Sequence, residues 1–158
     1  MAGTSILVYA ERVGGNLGEI EKLLAGPLAD FDGVHVLPFF HPYDGDDAGF
    51  DPIDHKIVDP RLGHWSDFKR MSQTHELTAD LIVNHASALS PEFIDWQAKG
   101  EASEFDGMFL TFDVVFPNGA SEDDITSFYR PRPGMPFTAY EVNGRRRLVW
   151  TTFMPSQV

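Results

Sequence analysis

One hexapeptide restricts this chain more than any other stretch: Asp80-Leu-Ile-Val-Asn84-His85. Three apolar residues in succession leave a strand no polar face, and such a strand belongs in a parallel sheet covered on both sides. Asn84 and His85 then fall where the strand ends, at the carboxyl edge of the sheet. Open α/β sheets and barrels hold their ligands at that edge. Taken alone, His85 reads more readily as a hydrogen-bonded structural histidine. The residues that accompany it elsewhere in the chain decide the matter.

The segments before it alternate. Ile6 to Ala10 is a short apolar strand, and Asn16 is a plausible N-cap for a helix carrying Leu17, Ile20, Leu23 and Leu24, stopped at Gly26-Pro27. Val34 to Phe40 is a second strand, followed by a long loop from His41 to His55 and on to about Gly63. Ser66 can cap a second helix with Phe68, Met71 and His75, which leads into the strand ending at His85. Strand, helix, strand, helix, strand at this spacing predicts right-handed parallel crossovers. The long loop exceeds the usual connection and is a candidate for function.

After His85 the pattern changes. Ser90-Pro91 opens a helix and Lys99-Gly100 closes it; Met108 to Phe116 reads as a strand and Asn118-Gly119 as a turn. Tyr129-Arg-Pro-Arg-Pro-Gly-Met-Pro136 is too proline-rich for regular structure. Asn143-Gly144 suits a tight hairpin between Ala139–Val142 and Arg145–Trp150. A further apolar strand is expected from Leu148 to Phe153. The layout is therefore three β/α units over residues 1–87, an insertion over 88–147, and the start of a fourth strand over 148–158. A closed eight-unit barrel needs about 250 residues, so the chain is expected to be the front part of a larger protein.

Composition excludes several functions. With 24 acidic against 12 basic residues the net charge is −12, which disfavours nucleic acid and anionic membrane alike. There is no cysteine, so thiolate chemistry and disulfides are out. No leader-like segment and no run of about 18 apolar residues occurs, and a cytoplasmic location is the default expectation.

Candidate chemistry lies in two loops. Asp44-Gly-Asp46-Asp47-Ala-Gly49-Phe50-Asp51 first suggests calcium, but counting from Asp44 puts Ala48 at the fifth position and His55 at the twelfth, where ligand oxygens are needed. A solvated acidic turn remains open, as does a sugar-binding carboxylate with Phe50 as its apolar neighbour; sugars use both kinds of contact. The six histidines make no close pair typical of zinc. Arg130 and Arg132, held among prolines, suit an oxyanion such as phosphate or, equally, a surface ion pair.

Asp80-Leu-Ile-Val-Asn84-His85 resembles the first signature region of the α-amylase superfamily. Gly33-Val-His-Val-Leu-Pro-Phe-Phe40, Asp47-Ala-Gly-Phe-Asp-Pro-Ile-Asp-His55, Phe116-Pro-Asn-Gly119, Tyr129-Arg-Pro-Arg-Pro-Gly134, and Leu148-Val-Trp150 with Phe153 and Gln157 resemble, more narrowly, the sucrose phosphorylases of that superfamily. The resemblance implies an α/β fold, the N-terminal part of a (β/α)8 TIM barrel with a small B domain inserted after the third strand. It implies retaining glucosyl transfer from sucrose to phosphate through a covalent glucosyl-enzyme. By the same resemblance Asp47 and His85 bind glucosyl hydroxyls, Phe50 and Phe153 form an apolar platform, Gln157 lies close by, and Tyr129 and Arg132 come from the acceptor-side loop, Arg132 as a phosphate contact. No metal and no cofactor is implied, only phosphate as co-substrate; the partners are sucrose and phosphate, with room for a homodimer in the full-length protein.

The nucleophile, the acid/base and a third carboxylate of the family all follow later barrel strands, beyond Val158, so the chain is expected to be inactive alone. Related readings are a phosphorylase acting on sucrose 6′-phosphate or glucosylglycerate, an α-glucosidase-type hydrolase, or a non-catalytic sugar-binding half barrel.

Overall fold

The computed structural model describes residues 3–42, 48–129 and 133–158. It divides into two units, residues 1–82 and 83–158. In chain order the first holds β1 (Ser5–Val8), α1 (Leu17–Leu24), β2 (Gly33–Val36), β3 (Phe40–Pro42), β4 (Pro52–Val58), α2 (Trp65–Met71) and β5 (Glu76–Ala79). β1, β2 and β5 pair in parallel in the order β1-β2-β5, with Leu7, His35 and Thr78 in one row.

Local signals account for the helices. The Asn16 side chain accepts the Glu19 N–H at 3.0 Å and starts α1, whose Leu17, Ile20 and Leu24 are buried. These pack with Val8, Val34 and Val36 of the sheet and with Phe68 and Met71 of α2 in one core. The second helix begins two residues earlier than the sequence suggests: His64, not Ser66, is its N-cap. The reason is Asp67, whose carboxylate accepts the His64 N–H at 2.6 Å. His75 lies beyond the end of α2.

Two strand expectations in this unit are corrected. The apolar run Val34 to Phe40 does not form one strand. The Leu37 N–H still donates to the Val8 carbonyl of β1 at 2.9 Å as the last rung of that ladder, and Pro38 has no N–H to continue it. β3 then pairs antiparallel with β4, so the stretch from His41 to His55 is in part a hairpin. The third parallel strand is Glu76–Ala79, not Leu81–Val83. Its register with β2 ends at Val36↔Ala79, where β2 itself ends. Leu81 and Val83 are consequently 74% and 79% exposed, while Ile82 is buried.

The second unit holds α3 (Pro91–Lys99), a 3₁₀ turn at Gly100–Ala102, α4 (Phe112–Val115), α5 (Glu122–Thr126), β6 (Phe137–Val142) and β7 (Arg145–Trp150). Ser90 caps α3 through the Phe93 N–H at 3.3 Å, with Pro91 in the first turn, as the sequence indicates. Gly100 ends it at φ +58°, where an added Cβ would stand 3.1 Å from the Asn143 Cβ. Phe93, Trp96, Phe109, Val142 and Val149 form this unit's core.

The expected strand from Met108 to Phe116 is instead a turn and a short helix. Leu110 and Thr111 meet the β7 backbone, through the Trp150 N–H to the Leu110 carbonyl at 2.8 Å and a bridge between Thr111 and Val149, and Arg147 of β7 reaches the Asp113 carboxylate at 3.1 Å. From there α4 stacks Phe112 on Phe116, one helical turn on, at 5.2 Å between ring centres. The strand expected from Leu148 to Phe153 ends at Trp150 as part of β7, and Thr152 to Ser156 bend and turn. Among the described residues no helix is long and apolar enough to cross a membrane.

Candidate functional site

His85 follows the irregular segment after β5 and is half-buried, while Asn84 beside it is exposed. Its ring stands edge-on to Phe153, with centroids 6.0 Å apart and planes at 89°. The two arrive from stretches far apart in sequence, and the backbone shows what joins them. The Ala86 N–H donates to the Val158 carbonyl at 2.7 Å, the Val158 N–H to Ala86 at 2.9 Å, and the Ala88 N–H to Ser156 at 2.7 Å. Ser87 bridges Gln157 antiparallel to this. The Thr152 hydroxyl adds a bond to the Asn84 carbonyl at 3.1 Å.

Gln157 is fully buried. Its Oε1 accepts the Met154 N–H at 2.9 Å, its own N–H donates to the Met154 carbonyl at 3.0 Å, and its carbonyl accepts the Thr152 N–H at 2.9 Å. It closes the turn on which Phe153 rides. Tyr129, by contrast, is 91% exposed. Among the described residues no hydrogen bond or ring contact joins it to His85, Phe153 or Gln157. Phe50 belongs to the first unit, half-buried and next to the fully buried Asp51. Asp47 and Arg132 lie outside the described residues.

Hydrogen bonding around the first unit's loops is directional. The Asp59 carboxylate is nearly inaccessible at 4% exposure and receives the Arg61 backbone N–H at 2.9 Å and its guanidinium at 2.6 Å. Burial raises this carboxyl, but the Arg61 donors and the nearby His41 outweigh it, and the group ends below the ordinary carboxylate range. After β5, His35 Nε2 meets Asp80 Oδ2 at 3.1 Å, both half-buried, tying the middle strand to the start of the signature hexapeptide. No motif marks Ser87 or Thr152 as part of this framework, because each acts through backbone carbonyls or pairing that only the fold brings near.

A scan of protein-family models finds no match. Known proteins are nevertheless similar along nearly the whole chain. The sucrose phosphorylase of Bifidobacterium adolescentis is 53% identical over 155 residues, covering 97% of this chain and 31% of that protein. That of Agrobacterium vitis is 52% identical, covering 97% and 32%. Among solved structures, the sucrose 6F-phosphate phosphorylase from Thermoanaerobacter thermosaccharolyticum superposes with a TM-score of 0.91 at 32% identity, covering 99% of this chain and 34% of that one. An isomaltulose synthase from Erwinia rhapontici, 16% identical with a TM-score of 0.74, shares the fold. The chain thus spans about a third of the length of the curated relatives it matches. Its fold is the N-terminal part of a (β/α)8 barrel, in which β1, β2 and β5 are parallel neighbours. By sequence along its length and by fold, the chain belongs to the sucrose phosphorylases of the α-amylase superfamily, matching the N-terminal third of its members.

Proposed function

We propose that this chain supplies one side of the glucosyl subsite of an enzyme that transfers glucose from sucrose to phosphate, releasing fructose and glucose 1-phosphate. The identity of 53% over 97% of the chain to a sucrose phosphorylase carries the reading. The contact of His85 with Phe153 agrees with it. A histidine beside an aromatic face offers a sugar both a hydrogen bond and an apolar surface, and the ring's negative face favours the oxocarbenium-like charge of the transition state. In this reading Asp47 and His85 bind glucosyl hydroxyls, Phe50 and Phe153 line the ring, Gln157 holds the wall, and Tyr129 and Arg132 serve the acceptor side. No metal or organic cofactor takes part. Retaining transfer needs two carboxyl groups about 5–5.5 Å apart; in this reading, as in the family the chain resembles, they follow later barrel strands, and residues 1–158 by themselves are expected not to turn over sucrose.

Two measurements test this. Purified chain given sucrose and phosphate forms no glucose 1-phosphate above an empty preparation; turnover there refutes the division of labour. Joined to the remainder of the Bifidobacterium adolescentis enzyme in place of its matching part, the same chain yields glucose 1-phosphate only when phosphate is supplied. Equal glucose release without phosphate favours a hydrolase. The superposition on a sucrose 6F-phosphate phosphorylase favours a phosphorylated acceptor as second reading, and fructose 6-phosphate tested against fructose in the reverse reaction separates the two. In the joined protein Asp47→Ala removes hydrogen bonds that tighten in the transition state and lowers kcat/KM by several kcal/mol of barrier, about 2–4; near-normal turnover removes Asp47 from the subsite.

A further inference from the structure

The turn that carries Phe153 and Gln157 is held from a second direction, by a side chain that none of the sequence motifs include. Tyr140 lies on β6 opposite Arg147, with its ring edge-on to the fully buried Phe93 at 4.9 Å and 77°. Its hydroxyl donates to the Pro155 carbonyl at 2.5 Å. Pro155 sits between Phe153 and Gln157, in a turn closed by short-range bonds among residues 152–157 and tied on its other side to residues 84–88. A tyrosine suits this task because its rigid ring anchors in the core while its polar tip reaches a carbonyl.

We infer that Tyr140 is a positioning residue of the glucosyl subsite: anchored on Phe93, it fixes through the Pro155 carbonyl the turn that presents Phe153 beside His85. The geometry stands independently, and the link to sugar rests on the function proposed above. Tyr140 touches no substrate. It acts by keeping the Phe153 ring from swinging away from His85, which lowers the cost of organising the subsite on binding.

Tyr140→Phe keeps the ring and deletes only the hydroxyl, so the core survives. Amide hydrogen exchange on the chain is the direct readout. Losing one hydrogen bond should speed exchange at Met154 and Gln157 about fivefold, with the β6–β7 ladder amides unchanged. Unchanged rates at those two amides, or an equal rise over the whole second unit, overturn the inference. In the joined protein the same variant raises KM for sucrose about fivefold and leaves KM for phosphate alone, since the proposed phosphate contact is not part of the 152–157 turn; equal changes in both overturn the positioning role. If the unsubstituted joined protein makes no glucose 1-phosphate, the proposed function fails, and the exchange rates alone decide Tyr140.

Discussion

Asp59 shows how a single buried charge is tolerated in a chain with a surplus of acids. It is nearly enclosed, and its oxygens are taken up by Arg61 Nε at 2.9 and 3.0 Å, by the terminal guanidinium nitrogen and by a backbone N–H. Because burial works against the charge and the Arg61 donors outweigh it, the folded carboxyl is lowered, and the folded state binds a proton less readily than the unfolded one. The stabilisation is thus complete above the ordinary carboxylate range and disappears as pH falls through that range to the lowered folded value. Asp59→Asn should cost about 1–2 kcal/mol at neutral pH, since one partner is largely exposed and screened. The gap between parent and variant should narrow below about pH 4. Urea unfolding at both pH values checks this; a gap that stays constant with pH removes the charge from the explanation.

Elements divide into those written locally and those written by their neighbours. Asn16, Ser90-Pro91 and Asn143-Gly144 each act on groups within three or four residues, and the structure has their caps and turn where the sequence puts them. The strands were less legible. Leu81-Ile82-Val83 has the composition of a buried strand, but pairing is a property of two segments, and β2 has already ended at Val36, ahead of Pro38. Met108 to Phe116 failed for a related reason: its aromatics satisfy one another at helical spacing, which an apolar run does not reveal. The site was similarly half legible. His85 and Phe153 meet, whereas the bonds that make them meet run through carbonyls of Asn84 and Pro155 that carry no sequence signal. The hairpin tests the local side of this division. Asn143 and Gly144 have φ of 48° and 71°, the left-handed pair of a two-residue turn. Gly144→Val should cost about 1–2 kcal/mol through that conformation alone, seen as a lower melting temperature with the Val142 and Arg145 amides losing protection first. An unchanged melting temperature indicates that the turn adopts another form.

At the scale of the whole molecule, apolar surface and net charge oppose each other. The first unit's helices cover one face of a three-stranded sheet, and among the described residues β1 and β5 each pair on one side only. Leu7 is 58% exposed in the row shared with His35, and Leu81, two residues past the end of β5, is 74% exposed. Unpaired edges beside exposed apolar residues template association, while a net charge of −12 repels a second copy. At low ionic strength the repulsion is long-ranged, but at physiological salt it is screened within about 8 Å, and the apolar contact prevails. The chain should therefore show an apparent mass that rises with concentration in sedimentation at physiological salt and much less at low salt. Leu81→Lys makes the net charge one unit less negative and Leu81→Glu one unit more so. If the apolar edge drives association, both flatten the concentration dependence to a similar degree. Relief by the glutamate alone assigns the effect to net charge, and a parent chain that stays monomeric at every salt and concentration removes this surface from the account.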